Sequence, residues 1–410
     1  MPSTSRRAFL GAVATGTVAS IAGCSSSCPD DALPDPPHTV DSADAGSGFE
    51  TVPGGSWPSP RFDPANTGAA PVRTDSATPS VQWRTSLPTS STGDDTAAAS
   101  PVVVADETVV ATSSAGVVAL SLRDGTRQWT RALTPATVPS AVGIGEGLAP
   151  PVVADGRVFL GTADGVLGLD IADGSVVWRH TDPVGAGVPA VTDDALFVPT
   201  TDGVVRFDTA SGAREWTAPV DGTRLAVADG TVVVTGEKTV ALAAATGEER
   251  WRRDDRATGY PVVADGTAYL TTTYGDLLGR SLPDGTEQWR IDRGRAMESA
   301  VVTSDSVYAI ERPGESSSAT FAFDRTDDGP PEPRWCSEID IGGAVTAAAG
   351  DAVVTSQREV GLTAFTRRFG EATWQYPVDY RAVSLAVLDG GLVSVSPAGT
   401  VVALGGERPA

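Results

Sequence analysis

Short apolar runs, broken by Asp-Gly and similar pairs, recur along most of the chain. The clearest case is Pro151–His180. Pro151–Ala154 is apolar and stops at Asp155-Gly156, and Arg157–Thr162 stops at Asp164-Gly165. Val166–Ile171 stops at Asp173-Gly174, and Ser175–His180 closes the unit and carries Trp178. Asp-Gly between β-branched runs favours type I′ hairpin turns, whose two central residues both need positive φ. The stretch therefore predicts four antiparallel strands. A meander of this size cannot bury both of its faces alone, so the pattern predicts copies of itself as neighbours.

The copies are present. Ser100–Val104 opens one that ends at Asp124-Gly125-Thr126-Arg127-Gln128-Trp129, and Val188–Val191 opens another that ends at Ser211-Gly212 and Trp216. Leu225–Val227 leads to Thr246-Gly247 and Trp251, and Tyr260–Gly266 leads to Asp284-Gly285 and Trp289. A sixth copy runs from about Ser299 to Trp335, with an inserted Pro313–Ser318 and a Pro-rich turn at Gly329–Pro333. A seventh runs from about Val345 to Trp374. An eighth supplies Ser384–Val387, Leu392–Ser396 and Thr400–Leu404, then stops without a fourth strand. Val81–Arg84 reads as a fourth strand with no preceding three. Residues 81–87 are thus expected to complete the last blade, closing a ring with no open sheet edge. The predicted fold is all-β: an eight-bladed β-propeller of four-stranded antiparallel blades, within a domain over 57–410. Trp83, Trp129, Trp178, Trp216, Trp251, Trp289, Trp335 and Trp374 give one tryptophan per blade, and about 40 residues per copy suits propeller repeats.

The Asp-Gly-x-x-x-Trp endings and the opening Trp57-Pro58-x-x-Arg61-Phe62-Asp63-Pro64-Ala65-Asn66-Thr67-Gly68 resemble the pyrroloquinoline-quinone-like repeat family. Its eight-bladed propellers include quinoprotein dehydrogenases and the outer-membrane assembly lipoprotein B. The resemblance covers nearly all of the chain after the leader. It implies that each tryptophan docks on the next blade near its Gly-containing turn, with the indole N–H on a backbone acceptor. The dehydrogenase branch would imply a quinone (PQQ) in the axial funnel, a calcium ion held by acid and amide side chains, and a catalytic Asp. Many of its members carry adjacent cysteines. Here Cys24, Cys28 and Cys336 are all separate, and Asn66, the one asparagine, precedes the ring in sequence. No catalytic residue and no metal ligand is assigned, and no cofactor is expected; PQQ with calcium is kept as the alternative.

The N-terminus alters the picture of where the ring works. Ser5-Arg6-Arg7-Ala8-Phe9-Leu10 matches a twin-arginine export motif, and Ile21-Ala22-Gly23-Cys24 matches a lipobox. Residues 1–23 are expected to be a signal peptide, with cleavage before Cys24 and lipid attached there. Residues 24–56, rich in Ser, Asp, Pro and Gly, are expected to be a disordered tether. That flexibility argues against a bond between Cys28 and Cys336. The protein is expected at the cell surface, lipid-anchored to the cell membrane.

Charge narrows the partners. Fifty-two acids face 30 bases for a net charge of −22, and removal of residues 1–23 with Arg6 and Arg7 leaves −24. Lys238 is the only lysine. This composition resembles that of proteins from extreme halophiles, archaeal ones here, where carboxylates keep a chain hydrated in molar salt. With no basic patch, nucleic acid is not an expected partner. His38 and His180 are too few for a His-rich metal site or a His-based triad. Function is therefore expected in the loops that differ between copies. These are Ala132–Ala149 before blade two, Pro313–Ser318 in blade six, and the loops that face the funnel. Arg293, Arg295 and Arg381, each preceding an inner strand, are the candidate contacts for a partner's carboxylates. The leading expectation is a monomeric, non-enzymatic scaffold for an unidentified cell-surface or membrane protein. A quinone-dependent dehydrogenase of alcohols or sugars and a small-ligand or carbohydrate sensor are the alternatives.

The address makes its own prediction. Cys24→Ser should release the protein from the membrane fraction into the medium, read by immunoblot, and replacing Arg6 and Arg7 by lysine should hold it inside the cell. A Cys24→Ser protein that still sediments with membranes would contradict the anchor.

Overall fold

Apolar runs this short can be covered only by their own kind. In a computed structural model the described residues are 38–41, 45–72, 78–89, 99–133, 137–139, 146–162, 164–181, 187–257, 259–294, 297–298, 300–311, 318–326, 329–339, 346–357, 361–377, 382 and 384–406. Among them every regular element is a strand. Blade one consists of Val103–Ala105, Thr108–Ser113, Gly116–Ser121 and Arg127–Arg131, each antiparallel to the next. The same order recurs at 152–180, 190–218, 224–253, 262–292, 301–339 and 346–376. Blade eight combines Ser384–Leu388, Gly391–Val395 and Thr400–Gly405 with Ser80–Ser86, the N-terminal strand, which pairs antiparallel with Thr400–Gly405. The eight-bladed ring and its closure are as the repeats predict. Between blades one and two, Thr137–Pro139 pairs with Glu146–Leu148 in an extra hairpin.

The pattern of burial explains the apolar runs. Thr108–Ser113 is buried along its whole length and Gly116–Ser121 along all but its last residue, because neighbouring blades cover both faces. The outer strand Arg127–Arg131 has only exposed and half-buried positions. In each outer strand the register slips by one residue just before the tryptophan. Such a bulge turns the preceding side chain outward and re-aims the next one. In blade two the bulged residue is Val177, 43% exposed, while Trp178 is buried.

The indoles bind the blades in sequence. Trp83 of blade eight donates from Nε1 to Leu122 O of blade one at 2.8 Å, and Trp129 of blade one donates to Ile171 O of blade two at 2.8 Å. Trp178, Trp216, Trp251 and Trp335 donate in the same way to Thr209, Ala244, Leu282 and Arg367, one blade further on. Each of these rings also lies over the turn between the next blade's third and fourth strands. Trp289 and Trp374 hold the same outer-strand position, beside Gly279 and Ala364 of their own sheets. Truncating a buried indole to Ala costs about 3–5 kcal/mol.

The Asp-Gly turns differ in backbone, where the sequence reading made them one kind. Asp155 and Gly156 have φ of 48° and 67°, and Asp265 and Gly266 have φ of 48° and 72°, as type I′ requires. Between third and fourth strands only the glycine is left-handed. Gly174 has φ of 70°, Gly174 N donates to Asp170 O at 2.9 Å, and Asp173 Oδ1 accepts from Ser175 N at 2.7 Å. The longer turn leaves room for the docked indole.

Part of the segment 24–56 does not stand free. Residues 38–41 and 45–56 lie on the ring rather than free of it. Val40 N donates to Gln375 O and Gln375 N to His38 O on blade seven's outer strand, at 2.7 and 2.9 Å. Gly46 and Gly48 donate to Val81 and Gln82 on blade eight, and Phe49 to Arg123 on blade one. Val40 and Phe49 are buried. The segment therefore straps the seam where the two ends of the chain meet. Its polar composition hid this, because most of its contacts are backbone hydrogen bonds.

Gly285 tests the docking. It has φ of 70°, and a Cβ there would stand 2.6 Å from Trp251 Cδ2. Gly266 has φ of 72° with nothing within 4 Å of a Cβ. Gly266→Ala should cost about 1 kcal/mol from backbone strain alone. Gly285→Ala should cost about 2–4 kcal/mol, because overpacking adds to the strain. Denaturant midpoints in high salt would measure both; equal losses would contradict indole docking at that turn.

Candidate functional site

The innermost strand of each blade is a sheet edge, with backbone N–H groups facing the axial channel. The chain covers them with its own segment 57–70, which follows the channel wall in blade order. Trp57 pairs with Val104 of blade one through N···O contacts of 2.7 and 2.9 Å. Pro58 O accepts from Val153 N of blade two at 2.8 Å, and Pro64 O from Val227 N of blade four at 2.7 Å. Ala65, Thr67 and Gly68 carbonyls accept from Val263, Val302 and Ala348 of blades five, six and seven, at 3.0, 2.9 and 2.9 Å. Ala69–Ala70 then runs parallel to Thr346–Ala349 as a fifth strand on blade seven. Because the segment supplies mainly carbonyls to the inner strands, Pro58 and Pro64 cost it no donor.

Tight local turns shape this plug. Asp63 accepts from Thr67 N at 2.9 Å and from Thr67 Oγ1 at 2.6 Å. Burial pushes the Asp63 carboxyl above its ordinary value, against the pull of those Thr67 bonds. Phe62 and Asn66 hold φ of 74° and 60°; for a bulky residue such as Phe62 this is strain of about 1–3 kcal/mol. Trp57, 1% exposed, packs against Phe62 with ring centroids 5.2 Å apart.

Asn66 corrects the sequence reading, which placed it outside the ring. It lies in the channel, and its Nδ2 donates to Leu225 O at 2.7 Å and Pro261 O at 3.1 Å. Arg61 Nη2 donates to Ala300 O. These carbonyls sit two residues nearer the start of their strands than the plug's main-chain contacts. The side chains of Arg61 and Asn66 therefore point along the axis, toward the inter-blade loops, by roughly 6–7 Å.

The other candidate residues are placed as follows. Arg293 turns inward: its Nε donates to Glu311 Oε1 at 3.0 Å, and its guanidinium lies 4.0 Å from the Phe321 ring centroid. With the Arg293 and Glu311 side chains 10% and 3% exposed, Arg293 is committed to the fold of blade six. Arg295, Arg381, Cys24, Arg6 and Arg7 lie outside the described residues, as does most of the Pro313–Ser318 insertion. Cys336, on blade six's outer strand, is disulfide-bonded, and Cys28 lies outside the described residues. Among the described residues no three of His, Cys, Asp and Glu converge in a group that could hold a metal ion.

The model of the family described as outer membrane protein assembly factor BamB matches residues 65–217 and 201–329, more than half of the chain. The chain belongs to this family. Solved structures share the family's ring at low identity. BamB from Moraxella catarrhalis superposes with a TM-score of 0.61 at 17% identity, covering 80% of this chain and 100% of that one. Quinohemoprotein alcohol dehydrogenase from Comamonas testosteroni superposes with a TM-score of 0.66 at 15% identity, covering 87% and 81%. The quinohemoprotein alcohol dehydrogenase ADHIIG from Pseudomonas putida HK5 gives a TM-score of 0.66 at 14% identity, covering 90% and 85%. At these identities the likeness is one of fold. No curated protein matches the chain in sequence.

Asn66 offers the sharpest test of the plug. Asn66→Ala leaves the Leu225 and Pro261 carbonyls without their donor and should cost about 1–3 kcal/mol. Denaturant midpoints would show it; an unchanged midpoint would contradict the placement of Asn66 in the channel.

Proposed function

We propose that this protein is a non-enzymatic scaffold outside the cytoplasm that holds a protein partner on its funnel-side loops, tethered to the membrane through lipid at Cys24. The observation that carries this reading is the plug. Residues 57–70 occupy the axial channel and answer the inner strands of six blades with their own backbone. A quinone and its calcium ion would need that axial space, together with a converging set of acid and amide donors. Asp63, the acid of the plug, already accepts from Thr67 on both oxygens, and among the described residues no three of His, Cys, Asp and Glu converge in a group that could hold a metal ion. That donor set does not fit the group. Family membership supports the same choice, since the family's description is that of an assembly factor. An acid-rich cell-surface protein of halophilic composition would carry over the holding role without an outer-membrane barrel as its cargo.

Replacing Pro313–Glu315 with a Gly-Ser turn of equal length should leave the denaturation midpoint unchanged while abolishing retention of the partner that the wild-type protein captures, in stoichiometric amount, from native membranes in molar salt. Unchanged capture by the variant would remove that loop from the interface. Purified protein incubated with PQQ and calcium in high salt should retain no quinone absorbance after gel filtration; retained absorbance, or dye reduction with alcohols or sugars, would overturn the scaffold reading.

A further inference from the structure

One tip of the ring departs from its copies. In the turn between a blade's third and fourth strands, the residue before the left-handed glycine closes the turn. Asp124, Asp173 and Asp284 accept there from the N–H two residues on, at 3.0, 2.7 and 3.0 Å. Ser211 and Thr246 do the same at 3.3 Å. Blade seven has the same turn, with Gly370 at φ of 71° and Gly370 N donating to Thr366 O at 3.0 Å. Its residue before the glycine is Phe369, whose side chain has no acceptor to offer. Thr366 Oγ1 takes the Glu371 N–H instead, at 3.2 Å. Phe369 is 61% exposed. Exposed Arg368 lies beside it, its guanidinium 5.0 Å from the ring centroid, while Arg367 turns inward to Asp305 of blade six.

Blade seven thus offers a ring and a guanidinium where blades one, two and five offer a carboxylate. The path of the chain gives that tip a use. The strap meets blade seven's outer strand in parallel, with Thr39 opposite Gln375. That strand runs from the Thr366–Glu371 turn toward the inter-blade loops, so the chain comes to His38 from the side of the turn. Gln375 is six residues past Phe369, roughly 20 Å along a strand. Cys24 is 14 residues before His38, and a chain of that length spans at most about 50 Å. A lipid on Cys24 can therefore sit in a bilayer that touches the tip of this turn.

We propose that Phe369 and Arg368 are a membrane contact, in which the ring enters the bilayer interface and the guanidinium pairs with a lipid phosphate. An aromatic side chain beside a cation matches that boundary, where apolar chains meet anionic head groups. A guanidinium fork suits a phosphate, and a contact pair persists in molar salt, where the Debye length is about 3 Å. The acids on the neighbouring tips favour a ring standing on its blade-seven edge over one lying flat. The inter-blade loops then point away from the membrane, where a partner can reach them. The contact deepens the scaffold reading and rests on the lipid at Cys24.

Photocrosslinking tests the contact on the full chain in native membranes. With benzoylphenylalanine in place of Phe369, irradiation should yield protein heavier by one lipid in mass spectrometry. The same group in place of Tyr274, 64% exposed on the loop between blade five's second and third strands, at the other end of the ring, should yield none. Adducts with another protein or with a second copy of this chain, no adduct, or equal lipid yields at the two positions would each overturn the contact. Phe369→Ser, which supplies the hydroxyl that blade three uses, should keep the wild-type denaturation midpoint; a lower midpoint would return Phe369 to the fold and end the proposal. Sedimentation separates the two readings. Protein that pellets with membranes but gives no lipid adduct from position 369 ends the contact alone, whereas protein that does not pellet ends the anchor and the contact together.

Discussion

Every blade of this ring ends, at the axis, in an exposed sheet edge, and the structure depends on covering those edges. A backbone N–H left facing a narrow channel is costly, and an uncovered edge invites pairing with another chain. Eight such edges face inward here. The segment 57–70 meets most of them with carbonyl oxygens, taken in blade order from Val104 and Val153 round to Val302 and Ala348. This explains a composition that is otherwise odd for a core element. Prolines, an asparagine and a glycine are poor strand formers, yet the segment is required only to curve and to present acceptors. It also sets what the channel can do, because the space on the axis is already divided between backbone and the side chains of Arg61 and Asn66.

The tryptophans solve the complementary problem at the rim. Neighbouring blades touch through flat faces of Val, Ala and Leu, which fix distance but little else. A bulge that in six blades aims the indole at a carbonyl one blade further on adds direction, as from Trp83 to Leu122, Trp129 to Ile171 and Trp178 to Thr209. Closure uses the same device, since Trp83 belongs to the N-terminal strand of blade eight. The strap from His38 to Phe49 then crosses blades seven, eight and one at that seam. The joint where the ring could open is therefore held by the strand pairing of Ser80–Ser86, by an indole and by the strap.

How legible this was depends on whether a feature repeats. The strands, the Asp-Gly turns and Trp178 recur at fixed spacing, so each copy vouches for the others, and the blade boundaries fall within a few residues of those read from Pro151–His180. The plug occurs once. Trp57-Pro58 and Asp63–Gly68 read as turn-formers because locally they are. Their partners are backbone groups of six blades, as far away as Ala348, and no side-chain pattern encodes a carbonyl's acceptor role. Arg293 misled for a related reason. An arginine before an inner strand looks solvent-facing in sequence, and only the fold brings Glu311 and Phe321 to it. The different Asp-Gly turns were merged because they share a dipeptide and differ in which residues take positive φ and by how much.

Arginine use ties these observations together. With 52 acids and 30 bases, cations are the scarce charge, and several of them link neighbouring blades. Arg325 reaches from blade six to Asp265 of blade five, and Arg367 from blade seven to Asp305 of blade six. Arg131, Arg157 and Arg253 donate instead to carbonyls of the following blade, at Gly174, Thr209 and Gly285. A guanidinium can serve a carbonyl and a carboxylate at once, which an ammonium does with less geometric control. That fits a chain with a single lysine, which forms an exposed pair with Asp254. It also sets Arg61 apart. The blade-linking arginines find acceptors on an adjoining sheet, whereas Arg61 stands on the plug, bonds one carbonyl at Ala300, and keeps a buried Nε without an acceptor.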